Sequence, residues 1–293
     1  MGNLYISGLK KLILAFAGLF FIISFVSCKK TNLIPSYIHI EKINLQTTYE
    51  IDGTNSNKIV DAWVYIDDNL QGIYELPATF PVLTTGRHTV KIRPGIKLNG
   101  IAMSRAYYPY FQPYETTIDL NAEQIDTINP TVTYVQGNIH WKEDFETAGI
   151  SLVKFSNSDT NFIQTQDTTK VFQGFSSGIV TLDGTYDHLI SVSNEIFEIP
   201  QDQSAVFLEL NYKTNTVIRV GVYAVLGNGM YNQIETMYIN ANSNWNKIYI
   251  NLTPTINSSN TATGFKIFFE AYKPDNLSSC EILLDNIKLL YSE

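Results

Sequence analysis

Basic residues are scarce in this chain: 20 Lys and Arg stand against 28 Asp and Glu, for a formal charge of −8. Nucleic-acid binding needs clustered cations that face phosphates, and no such cluster follows Lys30. Cysteine is limited to Cys28 and Cys280, which excludes a zinc-ligand spacing or a redox pair. The four histidines, His39, His88, His140 and His188, are scattered and offer no metal-binding spacing. P-loop and dinucleotide fingerprints are missing, and no long segment keeps a helical period. One hydrolase-like signature, G-x-S-x-G at residues 174–178, runs into Ile179-Val180-Thr181-Leu182. A nucleophile elbow needs a helix there, and this run reads as a strand. The 28 acidic residues single out no glycosidase pair. The chain is therefore expected not to be an enzyme, a glycanase or lyase being the remaining catalytic option.

What is present favours strands. Apolar residues make up 44% and aromatics 13%, with 18 tyrosines and many Asn, Thr and Ser between them. A length of 293 residues suits one large domain or two ordinary ones. Lys10 and Lys11 precede an uncharged apolar run over residues 12–26, the pattern of a secretory signal. That run is shorter than the ~20 residues of a membrane span. It ends in Phe25-Val26-Ser27-Cys28, which resembles a lipobox, with Phe25 in place of the usual leucine. The resemblance implies cleavage before Cys28, acyl chains on that cysteine, and a membrane tether over residues 28–35. Loss of residues 1–27 removes Lys10 and Lys11 and leaves a charge of −10. Lys29 stands where aspartate would resemble an inner-membrane retention signal, so the outer membrane is expected. The Asn-, Tyr- and Ile-rich style resembles proteins of the Bacteroidota. Their surface-exposed lipoproteins carry acids after the cysteine. Here there are lysines, which leaves the periplasmic and surface faces both open.

From residue 36 the chain alternates as short strands broken by turn signals. The segments WVYIDDNLQG (63–72), ELPATFPVL (75–83) and TGRHTVKIRPG (85–95) resemble the small PEGA-type β-domain, with Glu75-Leu76-Pro77-Ala78 in place of its namesake turn. That resemblance implies a structural or binding module over residues 36–136. Tyr107-Tyr108-Pro109-Tyr110-Phe111-Gln112-Pro113-Tyr114 is the densest aromatic cluster and reads as a loop folded over this first core, with an adhesive patch as the alternative.

Residues 137–293 offer six further strands, at 177–182, 206–212, 217–223, 246–252, 265–271 and 281–290. The segments WKEDFE (141–146), VFQGFSSGIVTLDG (171–184), WNKIYINL (245–252), FKIFFEA (265–271) and LLDNIKL (283–289) resemble the β-jelly-roll of carbohydrate-binding modules. The fold class expected is thus all-β, a small PEGA-like sandwich followed by a larger jelly-roll. Strict alternation places Asp285 on one face with Leu283, Ile287 and Leu289. In the modules this half resembles, an acid in the last strand and one in the first hold a structural calcium, and the matching positions are Asp285 and Glu146. Sugar rings stack on exposed aromatics, and Tyr186, Tyr223, Tyr231 and Tyr272 lie near loops or strand ends. The leading expectation is a non-catalytic outer-membrane lipoprotein that binds glycan through the jelly-roll. The alternative is an accessory subunit of an outer-membrane protein complex for uptake, secretion or assembly.

Overall fold

The computed structural model describes residues 34–293. The signal-like run, Cys28 and the two lysines after it lie outside the described residues. The chain folds as an all-β protein, as its alternation predicts.

The first half holds β1 (Ser36–Ile40), β2 (Asn44–Leu45), β3 (Asp61–Ile66), β4 (Asn69–Glu75), β5 (Ala78–Val82), β6 (Gly86–Lys97), β7 (Arg105–Tyr107), β8 (Tyr114–Leu120), β9 (Ile125–Ile128) and β10 (Thr131–Val132). A short helix, α1 (Tyr49–Asp52), interrupts them. One sheet runs β4-β3-β6-β7, with β8 also on β6, and a second runs β5-β1-β9. Ala62, Val64 and Ile66 of β3 and Val90 and Ile92 of β6 are buried, whereas Trp63 and Tyr65 turn outward. That is the period of two a half-buried sheet requires.

The second half holds β11 (Ile139–Glu143), β12 (Leu152–Lys154), β13 (Ile163–Thr165), β14 (Ser177–Leu182), β15 (His188–Ser193), β16 (Val206–Thr214), β17 (Ile218–Leu226), β18 (Tyr231–Ile239), β19 (Asn242–Asn251), β20 (Ala262–Tyr272) and β21 (Cys280–Tyr291). Between β19 and β20 sits α2 (Thr253–Asn257), with proline in its first turn. A six-stranded sheet, β13-β14-β21-β16-β19 with β11 on β21, faces a five-stranded one, β12-β15-β20-β17-β18. Their inner faces interdigitate through Leu208, Leu210, Val220, Phe265, Phe269 and Leu284, among others. Each such side chain contributes ~1.5–3 kcal/mol over its exposed state. Cys280 is buried there as a free thiol, raised above its ordinary pKa by that burial.

The outer face of the six-stranded sheet is covered by the first half. Phe207, Tyr249 and Leu290 belong to the first half's core. The Tyr107–Tyr114 stretch makes this seam: Tyr108, Tyr110 and Phe111 are buried, and Tyr108 packs edge-on to Phe207 at 5.1 Å. Most of the cluster is therefore buried, Tyr107 alone of the three leading tyrosines staying exposed, and it reaches beyond the first core to the second. Inside the seam, Glu209 accepts hydrogen bonds from the hydroxyls of Tyr108 (2.7 Å) and Tyr134 (2.9 Å) and pairs with Lys247 at 3.1 Å.

One expectation needs correction. A bulge in β21, with Asn286 at φ 49°, resets the alternation. Ile282 and Leu284 before it and Ile287 and Leu289 after it all join the core. Asp285 therefore does not share a face with Ile287 and Leu289. It pairs across to Asn211, on the outward side of the sheet.

Candidate ligand-binding site

The five-stranded sheet turns one face to the core and the other outward. On β20, Phe265, Ile267, Phe269 and Ala271 point inward, so Phe268, Glu270 and Tyr272 point out. On β17 the same rule leaves Arg219 and Tyr223 outward, with Gly221 between them. Tyr223, Phe268, Ile190 and Val192 form a small apolar cluster on that outer face, with Phe155 against it.

Gly221 is required there. A Cβ on it would overlap the Ile234 carbonyl oxygen and lie 2.8 Å from both Glu235 Cα and the Phe268 ring. Gly221→Ala is expected to cost about 1–3 kcal/mol by overpacking against backbone. An unchanged denaturation midpoint would contradict this close approach.

Glu270 is the polar centre of the face and is 3% exposed. Its carboxylate lies 3.0 Å from His188 Nε2 and accepts hydrogen bonds from Arg219 Nη1 (3.0 Å), Gln233 Nε2 (2.7 Å) and the Tyr272 hydroxyl (3.1 Å). Burial works to raise this carboxyl's pKa. The His188 and Gln233 bonds and the Arg219 charge outweigh it and hold the group below the usual carboxylate range. Arg219 also pairs with Glu235 at 3.3 Å and lies over the Tyr238 ring.

Aromatic rings frame this cluster. Tyr272 is 54% exposed and stacks on His188, with ring centres 4.1 Å apart and planes within 5°. A cavity of about 440 Å³ opens beside it, lined by Thr216, Arg219, Tyr238, Glu270, Tyr272 and Lys273. That volume lies within the range of small-ligand sites. On the other side of Gln233, Tyr223 donates its hydroxyl to Gln233 Oε1 at 3.0 Å and is stacked by Phe155 at 4.4 Å. Burial, then the Glu270 charge, pushes the Tyr223 phenol up to about 12. Tyr231 meets Phe155 edge-on at 5.6 Å.

Of the four tyrosines named from the sequence, Tyr223, Tyr231 and Tyr272 fall on this one face. Tyr186 lies in the exposed turn between β14 and β15, where Asp183 accepts its backbone N–H at 3.0 Å. Sequence reading missed Phe155, His188, Arg219, Gln233 and Glu270. The alternation of residues 265–271 carried a signal for Glu270, since it puts that acid opposite a phenylalanine-rich face.

The acids expected to hold calcium lie elsewhere, at the loop before β14. Glu146 accepts the N–H groups of Phe175 (2.9 Å) and Ser176 (3.0 Å). Gly174, at φ 75°, lets that carboxylate in where a Cβ would overlap it. Asp285, 1% exposed, accepts the Ser177 hydroxyl at 2.6 Å and the Asn286 N–H at 2.7 Å. These donors occupy oxygen atoms that a calcium ion would need. Among the described residues no group of three or more His, Cys, Asp or Glu side chains is placed to share a metal. Ser176, the G-x-S-x-G serine, is buried and gives its N–H to Glu146, and a strand follows it.

No protein-family model and no curated protein matches the chain. Solved structures similar to about half of it include the CBM22-1 xylan-binding domain of Paenibacillus barcinonensis Xyn10C, at 12% identity over 53% of this chain and 95% of that one, with a TM-score of 0.37. The family 11 carbohydrate-binding module of a cellulosomal cellulase of Clostridium thermocellum is similar at 15% identity over 51% and 92%, with a TM-score of 0.35. The tailspike protein 4 enzymatic domain of bacteriophage CBA120 is similar at 10% identity over 51% of this chain and 20% of that one, with a TM-score of 0.36.

Proposed function

We propose that this protein is a non-catalytic binding protein, held on the outer membrane by lipid on Cys28, and that the outer face around Glu270 takes a glycan. The observation that carries the reading is the Glu270 cluster. A buried carboxylate with four preset polar partners sits between the exposed rings of Tyr272 and Tyr238 on the outer face of the sheet. Sugars present apolar C–H faces for rings such as Tyr272 and hydroxyls for groups such as Arg219. Glycosidic cleavage needs an acid kept protonated, whereas the donors around Glu270 hold it ionised. That favours recognition over proton transfer.

The test is affinity electrophoresis or calorimetry against a panel of neutral polysaccharides. At least one is expected to bind, and Tyr272→Ala is expected to weaken it about ten-fold while the denaturation midpoint moves little. No binding at millimolar sugar, or equal affinity in the variant, would count against the reading. The accessory-subunit reading is favoured by one feature: Met103 is 92% exposed and Ile101 53% exposed on the turn between β6 and β7. A detergent-stable membrane partner lost on Met103→Asp, in a protein without glycan affinity, supports that alternative.

A further inference from the structure

The first half carries its own unused cation. The chain has four arginines. Arg105 pairs with Asp61 and Glu75, Arg219 pairs with Glu235 and Glu270, and Arg87 stands exposed at the start of β6. Arg93 is drawn in among aromatic rings on the outer face of β6, with its guanidinium carbon 4.9 Å from the Tyr107 ring centre and 5.8 Å from that of Tyr65. Among the described residues no carboxylate lies within ion-pair distance of it, and its buried Nε has no hydrogen-bond partner.

The surroundings are built for this placement. Trp63 sits across from Arg93 in the β3–β6 register and meets Tyr107 edge-on at 5.6 Å. Gly95 gives Trp63 room to lie over β6, since a Cβ there would come within 3.1 Å of the indole. The neighbouring Lys91 is occupied by Asp68 and Glu115. A recess of about 140 Å³ opens beside Arg93, between Tyr107, Pro109 and Pro113. Cation–π contacts orient the guanidinium plane but leave its terminal N–H fork without an acceptor.

We propose that Arg93, framed by Trp63, Tyr65 and Tyr107, is a second ligand site that recognises a carboxylated sugar residue, a uronate. The carboxylate takes the bidentate fork, and the C–H face of the same pyranose packs on the exposed Tyr107 ring. A neutral sugar leaves the guanidinium unsatisfied. A peptide carboxylate meets the fork but brings no apolar ring face to Tyr107. The site stands apart from the Glu270 face and does not depend on it.

The probe is oligogalacturonate, with a neutral oligogalactan as comparison, titrated into the native chain, Arg93→Gln, Arg93→Lys and Tyr272→Ala. The native chain is expected to bind the uronate with an affinity that falls as salt rises. Arg93→Gln is expected to bind at least about ten-fold more weakly, because the charge-assisted fork is gone. Arg93→Lys keeps the charge and serves where the glutamine variant does not fold; it is expected to retain salt sensitivity but lose affinity. Tyr272→Ala is expected to bind the uronate as the native chain does, even if it has lost neutral glycans. Uronate binding that is absent, that survives Arg93→Gln, or that Tyr272→Ala abolishes overturns the proposal. So does tighter binding of a carboxyl-terminated peptide than of oligogalacturonate.

Discussion

Replacing Glu209 by alanine is expected to lower the unfolding free energy by about 3–5 kcal/mol. Glu209 is fully buried in the seam between the two halves. It satisfies two tyrosine hydroxyls and is the acid paired with Lys247. Lys288 lies beside it, donating to the Thr54 carbonyl at 2.7 Å and to the Tyr134 hydroxyl at 3.2 Å. Burial lowers the Lys288 ammonium to about 7, while the Glu209 charge works the other way. Burial and then the same charge push the Tyr108 and Tyr134 phenols far above their ordinary range. Removal of the one acid strands the buried Lys247 amine and two hydroxyls and takes a stabilising charge from beside Lys288, and that loss exceeds any single apolar contact in the seam. Urea unfolding reads it directly. Glu209→Gln keeps acceptors for the tyrosines and should lose less. Glu209→Met with Lys247→Met should recover most of the difference, because a buried pair replaced as a pair is often near neutral. A loss below about 1 kcal/mol for the alanine variant would mean that the two halves do not depend on this network.

Asp285 has the second large effect, and it depends on pH. Burial raises its carboxyl to about 7, despite the Ser177 and Asn286 bonds that pull it down. The folded value lies above the unfolded one, so the protonated form favours folding. Its contribution is fully present below about pH 4 and is lost as pH rises through about 7. The shift corresponds to about 4 kcal/mol at most. Asparagine keeps the shape, with its oxygen free to accept the Asn286 N–H and its amide free to meet Ser177. Asp285→Asn should therefore match the native chain near pH 4 and exceed it by about 2–4 kcal/mol at pH 8. The difference between the two proteins isolates this group from the others that titrate. A variant less stable than the native chain at pH 8, in a protein also weakened by chelator, would instead show a cation bound to the carboxylate.

Much of the second half was legible because its strands are apolar and aromatic runs bounded by turn residues. Residues 177–182, 206–212 and 265–271 are strands where the pattern puts them. The two strands that complete the candidate face were not read as strands. Tyr231–Ile239 is an edge strand, YNQIETMYI, whose outward positions are Tyr231, Gln233, Glu235 and Tyr238 and which adds Asn232 and Thr236, a polar mixture close to that of a loop. His188–Ser193 is short and carries two serines on its core side. Function lies on the polar side of such strands, so the residues that mark the site also weaken the strand signal. The Asp285 bulge was hidden for another reason. Alternation assumes a continuous register, and Asn286 at positive φ breaks it. Glu209 in the run VFLEL could have been noticed, because an acid inside a strand buried on both faces needs partners. Its two tyrosine partners lie 75 and 101 residues away in the first half, and no local pattern names them.

The most direct test of the glycan-binding reading is a nuclear magnetic resonance titration of the described domains with a neutral oligosaccharide drawn from the binding panel. The Gln233 side-chain amide, the Arg219 Nε–H and backbone amides of residues 219–223 and 268–272 are predicted to shift together and saturate at one affinity. Shifts confined to other surfaces, with these signals unmoved at saturation, would contradict a glycan site at Glu270.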